Sequence, residues 1–343
     1  MRIFLFNPYN DLALAAPTGH FTPPASALAV ERAGACLPLW WASESDIVLV
    51  PDEASLAVAR RISAEFGLPD VAALKVPSDT DGELHPWGWS RHAAGLFVRA
   101  GVGAELLPSP RWLEEMRQLS HRRTSIGVLH RLGLSAELMP IEARSVDEAM
   151  EQYRRWNKAV MKLPWSGSGR GVMLAHEIPD ATLRGYIEGV IRRQGSIIVE
   201  PFYSRLLDFA MLFEIGDEVN YTGVSVFAAD SRGRYTGNIV APQSELESMI
   251  PADLTILRRS MAEALRPIAD AGYRGPVGVD MMVYDPADGR ESAVMPCIEV
   301  NLRWTMGIAA MLLARHGLRG ELRFSLRPNG QTVSGNGPCF NIE

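Results

Sequence analysis

Short apolar runs alternate with helical stretches along the first third of the chain. Residues 3–6 (Ile-Phe-Leu-Phe) and 47–50 (Ile-Val-Leu-Val) are typical of strands, whereas Ala25–Gly34, after two prolines, and Glu53–Phe66 are predicted to be helical. Strands that alternate with helices indicate an α/β unit with a mostly parallel sheet. We therefore expect an N-terminal α/β domain over residues 1–118, which ends in a stretch interrupted by several prolines.

The rest of the chain carries further strand-like runs and one early helical pattern. The strand-like runs are residues 158–163, 171–175, 196–202, 276–284 and 293–302, and the helical pattern covers 120–133. We expect a small lobe at 119–195 and a larger lobe at 196–320. Residues 321–343, rich in Gly, Asn and Pro, are predicted to be a tail or an end strand. With 343 residues the chain is long enough for two or three domains.

The last two strand-like runs are predicted to form a hairpin, because residues 285–289 (Asp-Pro-Ala-Asp-Gly) supply turn chemistry between them. Asp280 and Glu299 are equidistant from the middle of that turn, so an antiparallel ladder without a bulge places them opposite each other, about 5 Å apart. Asn301 shares the strand face of Glu299. Two carboxylates and an amide that converge in this way would suit Mg²⁺ or Mn²⁺. The alternative is that both carboxylates face solvent on a half-exposed sheet.

A loop with Gly167 and Gly169 joins the runs at 158–163 and 171–175. Glycine lets the backbone approach a phosphate closely and point successive N–H groups at an anion. Lys162, at the end of the incoming run, would add a positive charge. The spacing matches neither a P-loop nor the dinucleotide-binding pattern, and a plain hairpin turn is the alternative.

The apolar run at 196–202 contains an acid near its end, Glu200. A carboxylate or carbonyl at such a strand end would accept the adenine amino proton, and Asp208, farther along, would accept ribose hydroxyls. The alternative is that Glu200 marks the point where the strand reaches water.

The order of these features, from Lys162 and the glycine loop through Glu200, Asp208 and Asp280 to Glu299-x-Asn301, resembles the ATP-grasp superfamily. The resemblance runs from about residue 120 to about residue 316. It implies an α/β pre-ATP-grasp domain followed by a two-lobed α+β ATP-grasp domain that clasps ATP between its lobes.

The resemblance also implies roles for individual residues. Lys162 would contact the nucleotide phosphates, Glu200 would lie at the adenine hinge, and Asp208 would lie near the ribose. One or two Mg²⁺ (or Mn²⁺) ions would be held by Asp280, Glu299 and Asn301. The loop that closes over the phosphates would contain Ser166, Gly167, Ser168, Gly169 and Gly171.

Two further basic positions follow from the same resemblance. Arg303 would steady the transferred phosphoryl group or the acyl-phosphate oxygen. A phosphate-binding basic residue is also implied near the start of the 120–133 helix, where Arg122 and Arg123 are both candidates.

The activity that this resemblance implies is that of a ligase. Such an enzyme would use ATP and Mg²⁺ to join a small-molecule carboxylate to an amine or a thiol through an acyl phosphate, with release of ADP and phosphate. The alternatives are a phosphotransferase that acts on a small metabolite and a nucleotide-binding regulatory protein without catalysis. The sequence leaves the identity of the acid and the amine open.

Composition narrows the classes of partner. A net charge of −6, with 47% hydrophobic and 22% charged residues, is typical of a globular protein without a basic surface for nucleic acid or an anionic membrane. The apolar runs are too short for a membrane span, and the N-terminal run is too short for a signal peptide, so we expect a cytoplasmic protein. A homo-oligomer is compatible with this composition. The three cysteines, odd in number and widely spaced, indicate neither a disulfide framework nor a zinc site.

Polar residues after the first predicted strand are candidates for binding a small polar substrate, because ligands of open α/β sheets bind beyond the carboxyl ends of the strands. The alternative is that they build a structural turn. These residues are Asn7, Asn10, Asp11 and His20. Trp165 and Trp304 would either line a pocket or lie in the core.

Overall fold

The computed structural model describes residues 1–16, 21–77, 80–167, 171–230, 235–286, 291–327, 330–335 and 337–343. These residues form two compact units. Unit 1 comprises Met1–Gln118, Gly237–Glu245 and Arg303–Glu343, and unit 2 comprises Leu119–Thr236 and Leu246–Leu302.

The secondary structure is a mixture of strands and helices. The strands are β1 (Arg2–Leu5), β2 (Ile47–Leu49), β3 (Ala72–Ala73), β4 (Glu83–Pro86), β5 (Ile141–Ala143), β6 (Ala159–Lys162), β7 (Val172–Leu174), β8 (Ile197–Pro201), β9 (Ser204–Ile215), β10 (Val219–Ala229), β11 (Tyr235–Val240), β12 (Gly275–Asp285), β13 (Ala293–Asn301), β14 (Gly320–Ser325), β15 (Gln331–Gly335) and β16 (Cys339–Ile342). The helices are α1 (Asn10–Ala15), α2 (Ala25–Gly34), α3 (Glu53–Phe66), α4 (Arg91–Arg99), α5 (Pro110–Leu119), α6 (Arg123–Arg131), α7 (Val146–Trp156), α8 (Asp180–Gln194), α9 (Gln243–Ser248), α10 (Leu254–Asp270) and α11 (Met306–Arg315). Short 3₁₀ helices lie at Leu37–Trp40, Ala104–Leu106 and Ala175–Glu177.

The N-terminal part of unit 1 contains a parallel sheet with the strand order β3-β2-β1-β4. Its central strand, β1, is buried on both faces. Phe4 packs with one cluster of apolar residues, which includes Val48, and Ile3 packs with another, which includes Phe97. Double-sided burial explains why these strands read as continuous apolar runs. The predicted α/β domain with a mostly parallel sheet is confirmed.

The helices of this domain have clear local signals. Asp52 accepts a hydrogen bond from the backbone N–H of Ser55, which caps the start of α3, and Gly67 ends that helix in the left-handed conformation. The helix α2 begins directly after Pro24. Both helices have the bounds that the sequence predicts.

The C-terminal residues of unit 1 form more strand than their composition indicates. Residues 321–343, predicted to be a tail or an end strand, contain most of β14 and all of β15 and β16, which pair in the antiparallel order β14-β16-β15. Phe340 and Ile342 of β16 are buried with Phe6 and Leu313. Alternate apolar residues therefore anchor this segment despite its glycines and prolines.

Unit 2 contains a small antiparallel sheet with the strand order β5-β8-β6-β7. One face of this sheet packs on α7 and α8. Met161 and Val199 from the sheet lie in one cluster with Met150 of α7 and Ile187 of α8. The opposite face of β6 and β8 is therefore left to carry the polar residues described below.

The larger sheet of unit 2 has the antiparallel strand order β13-β12-β9-β10. Helix α10 contacts β9 and β10, and α6 contacts β13. Two sheets in one unit, preceded by a parallel α/β domain, match the mixed fold class that the sequence predicts.

Among the described residues, no helix combines the length and the apolar character that a membrane crossing needs.

Replacing Gly34 with alanine should destabilise unit 1. A Cβ at this position would lie 2.3 Å from Cε1 of Phe6, and overpacking of a core costs about 1–3 kcal/mol. Gly95→Ala in α4 is the matched control, because its Cβ would meet Nη1 of Arg99 at an ordinary 3.5 Å. There the helix propensity of alanine should add about 0.5–1 kcal/mol. Denaturant unfolding of both variants would measure the two effects, and equal shifts would contradict this account of the packing.

Candidate functional site

Lys162 and Glu200 form a buried ion pair on the small sheet of unit 2. The β6–β8 register places Val160 opposite Glu200 and Lys162 opposite Ile198, so the two charged side chains are diagonal neighbours on one face. Their Nζ and Oε1 atoms are in direct contact, and both residues are buried. Two buried charges are tolerated only when they are paired, so each side chain holds the other in place.

Arg122 lies at the start of α6 and contacts two parts of the predicted site. Its Nη1 donates to the backbone oxygen of Leu163 at 2.7 Å and to Oγ of Ser166 at 2.8 Å, and its Nη2 donates to Oε2 of Glu299 at 2.8 Å. The backbone N–H of Arg122 donates to the Pro164 oxygen at 3.1 Å. Arg122 therefore joins the residues that precede the glycine loop to the strand β13.

Arg123, the other candidate for a phosphate contact, lies in different surroundings. Its Nη1 is 3.6 Å from Oε1 of Glu142 on β5, and its side chain is 39% exposed. The structure thus separates two adjacent arginines that the sequence cannot distinguish.

The glycine loop is described only at its two ends. Ser168 and Gly169 lie outside the described residues, whereas Gly167 and Gly171 lie within them. Gly171 has a φ of +77°, and a Cβ there would lie 2.4 Å from Cδ1 of Leu163. The backbone N–H of Leu163 donates to the Gly171 oxygen at 3.0 Å, which closes the base of the loop. Gly171 is therefore required by the backbone conformation of the loop base itself.

The predicted hairpin is present, and Asp280 is paired with Glu299 in its register. The ladder is nevertheless irregular, which corrects the expectation of an unbulged hairpin. Residues 296–298 of β13 lie opposite Met281 alone, between two runs that are in register. Pro296 lacks a backbone N–H and occurs within this irregularity, as expected for proline in a strand. The turn residues 287–290 lie outside the described residues.

Asp280, Glu299 and Asn301 are brought together by this register. Asn301 is buried, and its Nδ2 donates to Oδ2 of Asp280 at 3.1 Å, whereas Glu299 accepts from Arg122. Like charges opposite each other on a sheet are unfavourable, and these two donors reduce that cost. Carboxylate and amide oxygens fit the preferences of Mg²⁺ and Mn²⁺. Among the described residues, no group of three or more His, Cys, Asp or Glu is placed so that it could hold a metal ion.

Asp208 on β9 is buried and paired with Arg205. Oδ2 of Asp208 is 3.1 Å from Nη1 of Arg205. Residues three apart in a regular strand face opposite ways, but a register shift between Leu207 and Arg205 lets this pair meet. Burial raises the pKa of Asp208 to about 6, although the charges of Arg205 and Lys162 act in the opposite direction. Sequence reasoning missed Arg205, because the irregularity that brings it to Asp208 has no sequence signal.

The two sheets of unit 2 bring their charged residues into one neighbourhood. Cys297 is buried, and burial is the main cause that raises the pKa of its thiol; smaller influences come from a hydrogen bond with Ser125 and from the charges of Asp280, Glu299 and Lys162. The contacts of Arg122 with Leu163, Ser166 and Glu299 connect the same two sheets. Cys297 itself behaves as a small buried side chain.

Arg303 lies in unit 1, where it forms a bidentate ion pair with Asp11. Its Nε is 3.2 Å from Oδ1 of Asp11 and its Nη2 is 2.9 Å from Oδ2. Asp11, a candidate for substrate binding, thus pairs with the arginine for which the family resemblance implies a role in phosphoryl transfer.

The other N-terminal candidates have structural partners. Asn7 is fully buried, and its side chain accepts from the N–H and donates to the oxygen of Gly88. Asn10 donates to the Trp89 oxygen at 3.3 Å. These contacts support the structural-turn alternative for Asn7 and Asn10, whereas His20 lies outside the described residues.

The two tryptophans named from the sequence both pack against other aromatic rings. Trp304 stacks on Trp41 with ring centroids 5.0 Å apart, within the core of unit 1. Trp165 is buried and meets the ring of His121 edge-on at 4.6 Å. Trp165 therefore fixes the residues that precede the glycine loop onto the start of α6.

Comparison with solved structures identifies the fold. Phosphoribosylamine–glycine ligase from Thermotoga maritima superimposes with a TM-score of 0.58 at 12% identity, over 100% of this chain and 92% of that chain. An ATP-grasp superfamily protein from Archaeoglobus fulgidus gives a TM-score of 0.50 at 15% identity, over 100% and 98%. The chain has the ATP-grasp fold.

One further solved structure shares this fold, and the comparisons at the level of sequence found no relative. D-alanyl-alanine synthetase A from Vibrio cholerae shares the ATP-grasp fold with a TM-score of 0.50 at 12% identity, over 93% of this chain and 94% of that chain. A scan of protein-family models and a search of curated proteins gave no match. Likeness at such low identity establishes the fold and leaves the reaction to be argued from the residues.

Asp208 should make the stability of the protein depend on pH. Its folded-state pKa, about 6, lies above its ordinary value of 3.8, so the folded state binds more protons than the unfolded state between these values. The contribution of Asp208 to the free energy of unfolding is complete below about pH 4 and is lost as the pH rises through 6, at about 1.4 kcal/mol per unit of pKa difference.

Denaturant unfolding at pH 4.5 and pH 7 would measure this contribution. Asp208→Asn should reduce the difference between the two pH values, whereas Asp217→Asn, at an exposed position, should leave it as in the wild type. A carboxyl titration of Asp208 by NMR with a midpoint near 4 would contradict the prediction.

Proposed function

We propose that the protein is an ATP- and Mg²⁺-dependent ligase that joins a small-molecule carboxylate to an amine or a thiol. The observation that carries this proposal is that Arg122 joins Leu163 and Ser166, which follow Lys162, to Glu299 within one unit of an ATP-grasp fold. Asp280 and Asn301 lie on the same hairpin as Glu299. Phosphoribosylamine–glycine ligase and D-alanyl-alanine synthetase A are both named for reactions that join two molecules, which supports the same class here.

The residues of unit 2 provide the parts that binding of ATP needs. Lys162 supplies a positive charge for the phosphates, Gly167 and Gly171 lie in the loop beside it, and Arg122 is fixed at the loop base. Glu200 and Asp208 lie on β8 and β9, where we propose that they accept the adenine amino group and the ribose hydroxyls. Each of these acidic side chains already has a basic partner, so ATP would enter a site whose charges are balanced.

We propose that Asp280, Glu299 and Asn301 hold the metal ion and that Lys162 offsets the charge of the nucleotide phosphates. For Arg303 we propose the role that the family resemblance implies, which is to stabilise the transferred phosphoryl group. A bound Mg²⁺ would supply electrostatic stabilisation of the phosphate oxygens. A carboxylate oxygen of the substrate attacks the γ-phosphorus while the bond to the bridging oxygen of ADP breaks, which gives an acyl phosphate. The amine or thiol then attacks the acyl carbon, inorganic phosphate leaves, and the nucleophile loses its proton to solvent.

Catalysis in this scheme depends on positioning and electrostatics, and no side chain acts as a nucleophile. The buried Cys297 is consistent with this assignment, because burial raises the pKa of its thiol and keeps it protonated.

Glu299→Gln should lower the rate of Mg²⁺-dependent ADP release by about 100-fold or more, because it weakens binding of the ion that is proposed to stabilise the phosphate oxygens. The fold should persist, because a glutamine oxygen can still accept from Arg122. The assay feeds fractionated small-metabolite extract to the protein and follows ADP. Glu291→Gln, an exposed change just before β13, is the control. Normal, Mg²⁺-dependent turnover of Glu299→Gln would refute the metal assignment.

The fractions that support ADP release would lead to the two substrates. A product in which carboxylate and amine are joined supports a ligase. A stable phosphorylated product without a joined amine would show a phosphotransferase, and nucleotide binding without turnover on any fraction would show a regulatory protein.

Arg303→Ala should lower the turnover rate more than the affinity for ATP, because the charge that Arg303 is proposed to stabilise develops during transfer. Arg315→Ala, at an exposed position of α11, is the matched control. The paired change Arg303→Ala/Asp11→Ala removes the carboxylate that would otherwise be left without its partner. Equal losses of ATP affinity and rate would count against this role.

A further inference from the structure

Arg122 occupies a position that joins three elements of unit 2. One guanidinium contacts the Leu163 backbone, both oxygens of Ser166, and the carboxylate of Glu299. The Arg122 side chain is only 4% exposed, whereas that of Glu299 is 21% exposed. A planar guanidinium held by several acceptors has little freedom to move, so this contact is an organised part of the site.

The pairing of Asp280 with Glu299 makes a donor at each of these carboxylates favourable. The two carboxylates are opposite each other in the ladder, which is unfavourable unless each receives a donor. Asn301 supplies a neutral donor to Asp280, and Arg122 supplies a charged donor to Glu299. The positive charge near this carboxylate pair is thus provided by an arginine from α6.

A divalent cation on Glu299 would meet the same guanidinium. Two positive groups on one partly buried carboxylate repel each other strongly, because the surroundings screen charge less than water does. An ion bound to Oε2 would displace Arg122 from that oxygen, and an ion bound to Oε1 would place two positive charges on one carboxylate.

We propose that Arg122 is a positioning residue that takes the place of the divalent cation at Glu299 and is exchanged for it when metal and nucleotide bind. The inference rests on the proposed function, since it assumes that Glu299 is a metal ligand. Arg122 also holds Leu163 and Ser166, so the exchange links occupancy of the metal position to the residues that begin the glycine loop. The released guanidinium is then available to a phosphate, whose oxygens can accept two parallel hydrogen bonds from it.

The test measures the affinity for Mn²⁺ alone, without nucleotide, from the EPR signal of the free ion. Arg122→Gln should bind Mn²⁺ at least about threefold more tightly than the wild type, because the positive group that competes for Glu299 is gone. The same change should lower the melting temperature, since contacts to Leu163 and Ser166 are lost. Tighter metal binding in a less stable protein separates this proposal from a purely structural role, which would weaken both.

Three further variants make the result specific. Arg123→Gln, next in the sequence but beside Glu142, should leave the Mn²⁺ affinity unchanged. Arg122→Lys keeps the positive charge without the planar guanidinium and should increase the Mn²⁺ affinity less than Arg122→Gln does. It replaces Arg122→Gln if glutamine prevents folding. In a Glu299→Gln background, Arg122→Gln should give no gain.

The outcomes distinguish this inference from the function on which it rests. Glu299-dependent Mn²⁺ binding in the wild type that is unchanged or weakened by the Arg122 variants would overturn the exchange and leave the metal assignment intact. Absence of Glu299-dependent Mn²⁺ binding from the wild type and from every Arg122 variant would overturn both. Metal binding that appears only when Arg122 is replaced would support the exchange.

Discussion

The four carboxylates of the candidate site in unit 2, of which Glu200 and Asp208 are buried and Asp280 and Glu299 partly buried, each lie against a donor from the same unit. Lys162 contacts Glu200, Arg205 contacts Asp208, Arg122 contacts Glu299, and Asn301 donates to Asp280. Burial of a charge without a partner would cost several kcal/mol of folding free energy. The fold must therefore place a donor beside each of these acids. The strand registers and the position of α6 satisfy that requirement. A bound ligand with phosphates and a metal ion would replace some of these contacts between acidic side chains and their donors.

Much of the fold could be predicted from the sequence, because its signals are local. The helices Ala25–Gly34 and Glu53–Phe66 follow from prolines and an N-terminal cap, and the parallel sheet follows from apolar runs buried on two faces. The symmetry of the hairpin also predicts the pairing of Asp280 with Glu299. It holds although the ladder is interrupted, since three residues of β13 lie opposite one residue of β12. The hairpin symmetry thus gave the right pair without revealing the irregularity around Pro296.

Contacts between distant segments could not be predicted in this way. The choice between Arg122 and Arg123 depends on which of them faces Ser166 and which faces β5. The two residues are of the same type and adjacent in the sequence, so the sequence does not distinguish them. Arg205 reaches Asp208 only through a shift in the ladder. The ion pair of Asp11 with Arg303 joins residues that are 292 positions apart in the sequence. Such pairings arise from tertiary geometry, and they decide how the candidate residues are held.

The irregular strand β13 also bears on how the protein avoids association with other chains. Among the described strands it lies at the edge of its sheet, where unpaired backbone groups invite a strand from another molecule. Pro296 offers no N–H to such a strand, and the N–H of Val300 is already taken by Oγ of Ser125 on α6 at 3.0 Å. Pro296 and Ser125 therefore hinder backbone pairing with another chain along the strand that carries Glu299 and Asn301.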